Sequence, residues 1–186
     1  MNNQQEFEQL RERQTSSEEI YNGVILHVYK DGITLPDGKK STRELIRHIG
    51  AVCVIPVTDE GEVIVEHQFR YPLDKVITEI PAGKLDSKDE DPLLAAQREL
   101  REETGYTADE WNDIGIFYSA CAYSDEKINM YMARKLHEGS RHLDEGEFIN
   151  VRKVPIEELV QQVMNGEIGD SKTQVAILKA ARILGK

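Results

Sequence analysis

Apolar residues along the chain fall into two regimes. In the first, Val24-Ile25-Leu26-His27-Val28-Tyr29 reads as a strand, and Asp31-Gly32 and Pro36-Asp37-Gly38 are turn signals that fold Ile33–Leu35 and Ser41–Arg47 back as an antiparallel meander. A unit of about 30 residues with so few strands cannot bury its own face, so it is expected to pack on the rest of the chain or on another subunit. The residues before it are polar and irregular, with a short helix expected around Glu6 to Arg13.

From Gly50 the apolar runs lengthen. Ala51–Thr58 and Val63–Phe69 read as strands around a turn at Asp59-Glu60-Gly61, and Val76–Ile80 as a third. Asp91 can cap a helix, Pro92 suits its first position, Leu93, Ala96 and Leu100 repeat on one face, and Gly105 supplies a left-handed stop, which predicts a helix over Pro92–Thr104. Strands are expected near Trp111–Tyr118, Ile128–Ala133 and Phe148–Val154. Helices over Pro155–Asn165 and Ser171–Leu184 end at Gly166 and Gly185. The pattern divides the chain into a tail and small antiparallel unit over 1–49 and a larger α/β (α+β) domain over 50–186.

Composition narrows the function classes. The 186 residues carry 23 basic and 34 acidic side chains, a net charge of −11, with 39% hydrophobic and 31% charged residues. The chain can bury a core, but it lacks the basic footprint that nucleic acid or an anionic membrane requires. Cys53 and Cys121 are too isolated for a disulfide framework or a zinc site, and no two of the five histidines flank a Glu at helical spacing. No signal-like or membrane-length apolar segment occurs, so the expectation is a soluble, cytoplasmic protein.

The acid is concentrated. Asp86–Glu103 holds seven acids against three bases and Asp144–Glu158 five against two. On the predicted helix, Glu99, Glu102 and Glu103 share a face opposite the Leu93/Ala96/Leu100 stripe. Like charges at this spacing each cost a few tenths of a kcal/mol, and anions near a helix C-terminus are also disfavoured. Oxygen donors without nitrogen or sulfur suit Mg²⁺ or Mn²⁺. Taken alone the pattern is more often a solvated acidic face than a cation site, and an EF-hand is excluded because Lys88 takes the third position of Asp86-Ser-Lys-Asp-Glu-Asp.

The surroundings of the helix decide. Gly83, Glu90 and Arg98-Glu99-Leu100-Arg101-Glu102-Glu103-Thr104-Gly105-Tyr106 resemble the Nudix box, Gly-x5-Glu-x7-Arg-Glu-apolar-x-Glu-Glu-x-Gly-apolar. The one departure is that six residues, not five, separate Gly83 from Glu90. The resemblance covers most of the chain and is closest to the ADP-ribose pyrophosphatase branch. It implies an α/β/α sandwich with a mixed central sheet, preceded by a small N-terminal antiparallel β unit that helps form a homodimer with shared substrate sites.

Residue by residue, the resemblance implies Glu99 and Glu103 as principal metal carboxylates, Glu102 as a further ligand or base, the Ala82 carbonyl as a ligand, and Arg98 as the side chain that holds the helix to its loop. In the second acidic segment Glu145 is the candidate general base and Glu147 an extra ligand, with Gly146 between them. Arg70 is expected on the substrate phosphates, and Glu79 either touches substrate or braces the loop. From the N-terminal unit of the other subunit, Arg43, Glu44 and His48, with Val24 and Ile25 near the base, match substrate-contacting positions, and Ala120, Cys121, Ala122 and Glu126 belong to a loop bordering the site. Cys121 stands where enzymes of this branch tend to carry a proline.

The implied reaction is Mg²⁺-dependent hydrolysis, with Mn²⁺ as an alternative, of a nucleoside diphosphate sugar. ADP-ribose giving AMP and ribose 5-phosphate comes first, by in-line attack of a water on a phosphorus held by two or three metal ions. The alternatives are another nucleotide sugar, a dinucleotide polyphosphate, or a ligand sensor that does not cleave. A sensor would have no need of all three helix glutamates.

Overall fold

A computed structural model describes residues 3–143 and 145–186. Asp144 of the second acidic segment and Met1 and Asn2 lie outside the described residues. The chain forms two compact units, one of Met1–His48 with Ala120–Glu126, the other of Ile49–Ser119 with Lys127–Lys186.

The first unit contains helix α1 (Asn3–Leu10) and strands β1 (Arg13–Asn22), β2 (His27–Thr34) and β3 (Lys40–Ile46) in an antiparallel sheet of order β1-β2-β3. Three expectations change. The polar stretch before residue 23 forms β1, which hydrophobic patterning could not show because all ten of its residues are exposed. Val24 and Ile25 are not in a strand. They lie at the tip of the β1–β2 hairpin, closed by the Gly23 N–H on the Leu26 carbonyl (2.9 Å).

Nor is Asp31-Gly32 a turn. Both residues sit within β2, where a Cβ on Gly32 would stand 2.4 Å from Ser16 Oγ at a bulge in β1. Asp31 is buried and its carboxylate accepts from Gln14 (2.8 Å) and Arg47 (3.2 Å), so the dipeptide is an internal polar anchor. The Pro36-Asp37-Gly38 turn joins β2 to β3, with Gly38 at φ 86°. Residues 120–126 run beside Ile46 through paired bonds, Ile46 N–H to the Tyr123 carbonyl (2.8 Å) and Asp125 N–H to the Ile46 carbonyl (3.2 Å).

The second unit contains β4 (Ala51–Pro56), β5 (Glu62–Arg70), a 3₁₀ turn (Tyr71–Leu73), β6 (Lys75–Glu79), β7 (Ala82–Lys84), α2 (Pro92–Glu99), β8 (Tyr106–Tyr118), β9 (Lys127–Glu138), β10 (Ile149–Pro155), α3 (Ile156–Met164) and α4 (Ser171–Ile183). The four-stranded sheet, β7-β4-β9-β8, is mixed, with β4 and β9 parallel; the three-stranded sheet, β10-β5-β6, is antiparallel. Every residue of β4 is buried. Cys53 and Ile55 face the core shared with α3 and α4 (Leu159, Ile177, Ala180), while Val52 and Val54 face the one shared with α2 (Ala95, Ala96, Leu100). Strand alternation thus sends one face to each helical layer, an α/β/α sandwich.

Helix α2 begins as its sequence predicts, with Asp91 accepting from the Leu93 N–H (2.8 Å) and Pro92 in the first turn. Its end differs. From Leu100 to Thr104 the chain widens into a π turn, closed by Gly105 at φ 81°. Such π turns recur at functional sites.

At the other helical layer, Asp170 caps α4 through the Thr173 N–H (2.9 Å) and hydroxyl (2.6 Å), while the Thr173 hydroxyl oxygen accepts from the Ile80 N–H (3.0 Å). Thr173 and Ile80 are both fully enclosed. Thr173→Val keeps the shape but leaves the Ile80 donor buried without a partner, so chemical denaturation should show a loss of about 1–3 kcal/mol.

Candidate metal and phosphate site

The glutamates of the α2 segment do not behave alike. Glu99 and Glu103 are 9% and 7% exposed, whereas Glu102 is half-buried. Glu103 Oε2 accepts the Ala82 N–H at 2.9 Å, which joins the π turn to β7. Glu99 lies across Gly83. A Cβ at that position would stand 2.0 Å from Glu99 Oε1, so glycine is required for the close approach of the carboxylate to the strand. The box glycine therefore serves packing against a glutamate, at a backbone conformation open to other residues.

Arg98 ties the helix to the preceding loop. It donates to Glu99 (2.7 Å), Glu102 (3.4 Å), Glu90 (3.4 Å) and the Lys84 carbonyl (3.2 Å), and pairs with Asp86 at 3.6 Å. Glu90 accepts the Asp86 N–H at 2.6 Å, closing the loop that holds the extra residue. Glu90 and Arg98 are thus parts of the scaffold that positions Glu99 and Glu102.

The loop after β9 is anchored on the same segment. The His142 N–H donates to the Glu102 carbonyl (3.1 Å), and a Cβ on Gly105 would meet the Gly139 carbonyl at 2.9 Å. Arg141 Nη1 reaches across to the Ile149 carbonyl (2.8 Å), which fastens the two ends of the stretch carrying Glu145, Gly146 and Glu147. The negative charge of Glu147 acts on Glu66, Glu99 and Glu103. Glu145 is exposed and, among the described interactions, enters none with these side chains.

Sequence reasoning missed Glu66 and Lys172. Glu66, on β5, is 3% exposed and stands opposite Glu79 of β6. Nothing in its sequence context separates it from a surface position of an alternating strand. Burial, then the charges of Glu66 and Glu99, push the Glu103 carboxyl well above the ordinary carboxylate range, and burial, then Glu79, pushes Glu66 up as well. Burial also raises Glu99, against the pull of Arg98.

Lys172, at the start of α4, donates to Glu79 Oε1 (2.8 Å) and Asp170 (3.1 Å), while Arg70 Nε donates to Glu79 Oε2 (2.8 Å). Of the two roles open to Glu79, its contacts are those of a brace. Its side chain is 5% exposed, with an oxygen on each cation, whereas Arg70 remains 42% exposed.

Among the described residues no three His, Cys, Asp or Glu side chains already stand as a cage for an ion. Glu103 is engaged by the Ala82 N–H and Glu99 by Arg98. The donor set of the α2 segment nonetheless fits a hard divalent cation, being all oxygen, with Glu99 and Glu103 buried and mutually repelling.

The other sequence candidates fall in the first unit. Glu126 and His48 meet there at 3.8 Å, and Asp125 accepts the His48 N–H (2.7 Å). Ala120 accepts the Tyr123 and Ser124 N–H groups of a turn in which Cys121 and Ala122 are exposed. Arg43 binds Glu12 and the Thr42 carbonyl, Glu44 stands opposite Lys30, and Val24 and Ile25 are 95% and 62% exposed.

An α/β/α sandwich that buries paired glutamates at the end of a capped helix, against a glycine-containing strand, defines a hydrolase domain of the Nudix class. Residues 47–173 match the NUDIX domain and residues 12–46 the nucleoside diphosphate sugar hydrolase N-terminal domain, and the chain belongs to the NUDIX family, near its ADP-ribose pyrophosphatase branch. It is 44% identical over 170 residues to an ADP-ribose pyrophosphatase of Bacillus subtilis (strain 168), covering 90% of this chain and 91% of that protein. A methanol dehydrogenase activator of Bacillus methanolicus is 40% identical over 168 residues, covering 89% and 90%. The crystal structure of an ADP compounds hydrolase superposes with a TM-score of 0.84 at 20% identity over 94% of this chain and 95% of that one, a likeness of fold.

The raised carboxyls make stability depend on pH. Glu66, Glu99 and Glu103 bind protons more tightly folded than unfolded, so their stabilising contribution is complete below the ordinary glutamate value of about 4.3 and is lost as pH rises through their folded values. Chelator-treated protein should lose stability to urea progressively from about pH 5 through the folded values of about 8 for Glu66 and about 10 for Glu103, and Mg²⁺ should restore most at the alkaline end.

Proposed function

We propose that the protein hydrolyses ADP-ribose to AMP and ribose 5-phosphate in a Mg²⁺-dependent reaction, with Mn²⁺ as a substitute. The observation that carries this reading is the burial of Glu99 and Glu103 beside each other, with the Glu147 charge acting on both. Glu99, Glu102, Glu103, Glu147 and the Ala82 carbonyl would hold the divalent cations. When bound, these supply charge neutralisation at the phosphoryl oxygens and lower the pKa of water.

The chain's own groups do the rest. Arg70, oriented by Glu79 and still exposed, presents guanidinium N–H groups to the diphosphate. Arg98 keeps Glu99 and Glu102 in place from the loop side. Glu145, on the loop fastened by Arg141, takes the proton of the attacking water, with Glu102 as the other candidate. Substrate contacts are assigned to Arg43, Glu44, His48, Val24 and Ile25 as supplied by the other subunit of a dimer, and to Ala120, Cys121, Ala122 and Glu126 of the loop bordering the site. A second reading, hydrolysis of another nucleoside diphosphate sugar, is favoured by the match of residues 12–46 and by Cys121 in place of the proline. The likeness to a methanol dehydrogenase activator leaves the chemistry available to these residues unchanged.

The working form is proposed to be a homodimer, since Ile20, Tyr21, Val24, Ile25 and Leu26 crowd exposed apolar surface onto one hairpin of a unit too small to bury it. The free Cys53 and Cys121 thiols suit a reducing cytoplasm.

The test is release of phosphate, after phosphatase coupling, from ADP-ribose, other nucleotide sugars and dinucleotide polyphosphates, with and without Mg²⁺. ADP-ribose should be turned over fastest and only with metal. Glu103→Gln should cut kcat by about 100-fold or more, and absence of turnover on every substrate would overturn the catalytic reading. Glu145→Gln should cost about 100-fold or more as loss of a general base; a rate within about threefold of the parent assigns the proton to Glu102. Sedimentation equilibrium should give twice the chain mass.

A further inference from the structure

Glu66 belongs to no part of the box and to none of the contacts assigned above. It shares a strand face with Ile64, which packs in the core beside Ala95, Ala96 and Leu100 of the α2 segment. At this depth an apolar side chain would fill the space with no electrostatic cost. A carboxyl there is 3% exposed, and its Oε1 has no hydrogen-bond partner among the described residues. Leaving such an oxygen unmatched costs about 1–3 kcal/mol, and more if the group is ionised.

The charges around Glu66 identify what would offset this. Glu79 and Glu147 repel its ionised form, Lys172 and Arg141 favour it, and Glu103 is in turn repelled by it. Lys172 already holds Glu79 and Asp170, and Arg141 holds the Ile149 carbonyl. The two carboxylates that bear on Glu66 from the π turn and the loop, Glu103 and Glu147, are the ones given to the divalent cation above.

We propose that Glu66 supplies a further carboxylate oxygen to the divalent-cation site of Glu99, Glu103 and Glu147. The proposal rests on the metal-dependent reading of that site. It makes Glu66 a group that weakens the metal-free fold and strengthens cation binding, the opposite of what a packing residue does.

The test uses the full chain, stripped with chelator, in three forms: parent, Glu66→Gln and Glu103→Gln. Mn²⁺ binding is followed by electron paramagnetic resonance and thermal melting is measured with and without the ion. Glu66→Gln should bind Mn²⁺ about tenfold or more weakly than the parent, and its metal-free form should melt higher. Parent-like Mn²⁺ affinity in Glu66→Gln, or a lower metal-free melting temperature, overturns the proposal. If the parent itself binds no Mn²⁺, the metal-dependent function fails and this inference with it, a result distinct from failure of Glu66 alone. Glu66→Met, of similar volume and without oxygen, should repeat the loss of Mn²⁺ affinity; parent-like affinity in it also overturns the proposal.

Discussion

The site depends on one junction, the bond from the Ala82 N–H to Glu103 together with the contact of Glu99 on Gly83. It sets a short strand against the end of a helix with two carboxyl groups caught between them. Helices and sheets of a sandwich usually meet through apolar side chains, and most of this domain follows that rule through Val52, Val54, Ala96 and Leu100. At the junction the rule is broken. The carboxyl groups are expensive to bury and carry raised pKa values as a result, so the contact makes sense as part of a binding site and costs stability otherwise.

Around this junction, three layers of support can be separated. Arg98 restrains the helix from the loop that precedes it. The loop beyond β9 is fixed at its base by His142 and Gly105 and at its neck by Arg141. Glu79, between Arg70 and Lys172, carries the third to the start of α4. Each support comes from a different stretch of chain, and each ends on a charged or backbone group, which gives the carboxylates defined positions despite their mutual repulsion.

Much of this was legible in the sequence where local rules govern. Asp91, Pro92 and Gly105 bound the Pro92–Thr104 helical segment because capping and left-handed termination are written in single residues. The strands of the main domain were visible because they are apolar and buried, though β8 and β9 run further than their apolar segments suggested. The small unit was misread where polarity and structure part company. β1 pairs in full solvent exposure with no apolar face to betray it, while Val24 and Ile25 owe their place to a hairpin tip. The box singled out Glu99, Glu102 and Glu103 as candidates, but Glu66 and Lys172 are brought in by cross-strand pairing and by a helix far along the chain, which no local spacing encodes.

Thr173 carries a consequence for how the molecule is made. Ile80, whose N–H it accepts, immediately precedes the Pro81-Ala82-Gly83 segment, 93 positions earlier in the chain. During synthesis, therefore, the Ala82–Lys84 strand and the helix packed on it can be complete in sequence while the backbone leading into them still lacks its last partner. The site reaches its final form only when α4 has emerged and docked, so a nascent chain stalled before that helix would display its acidic cluster on an unfinished scaffold.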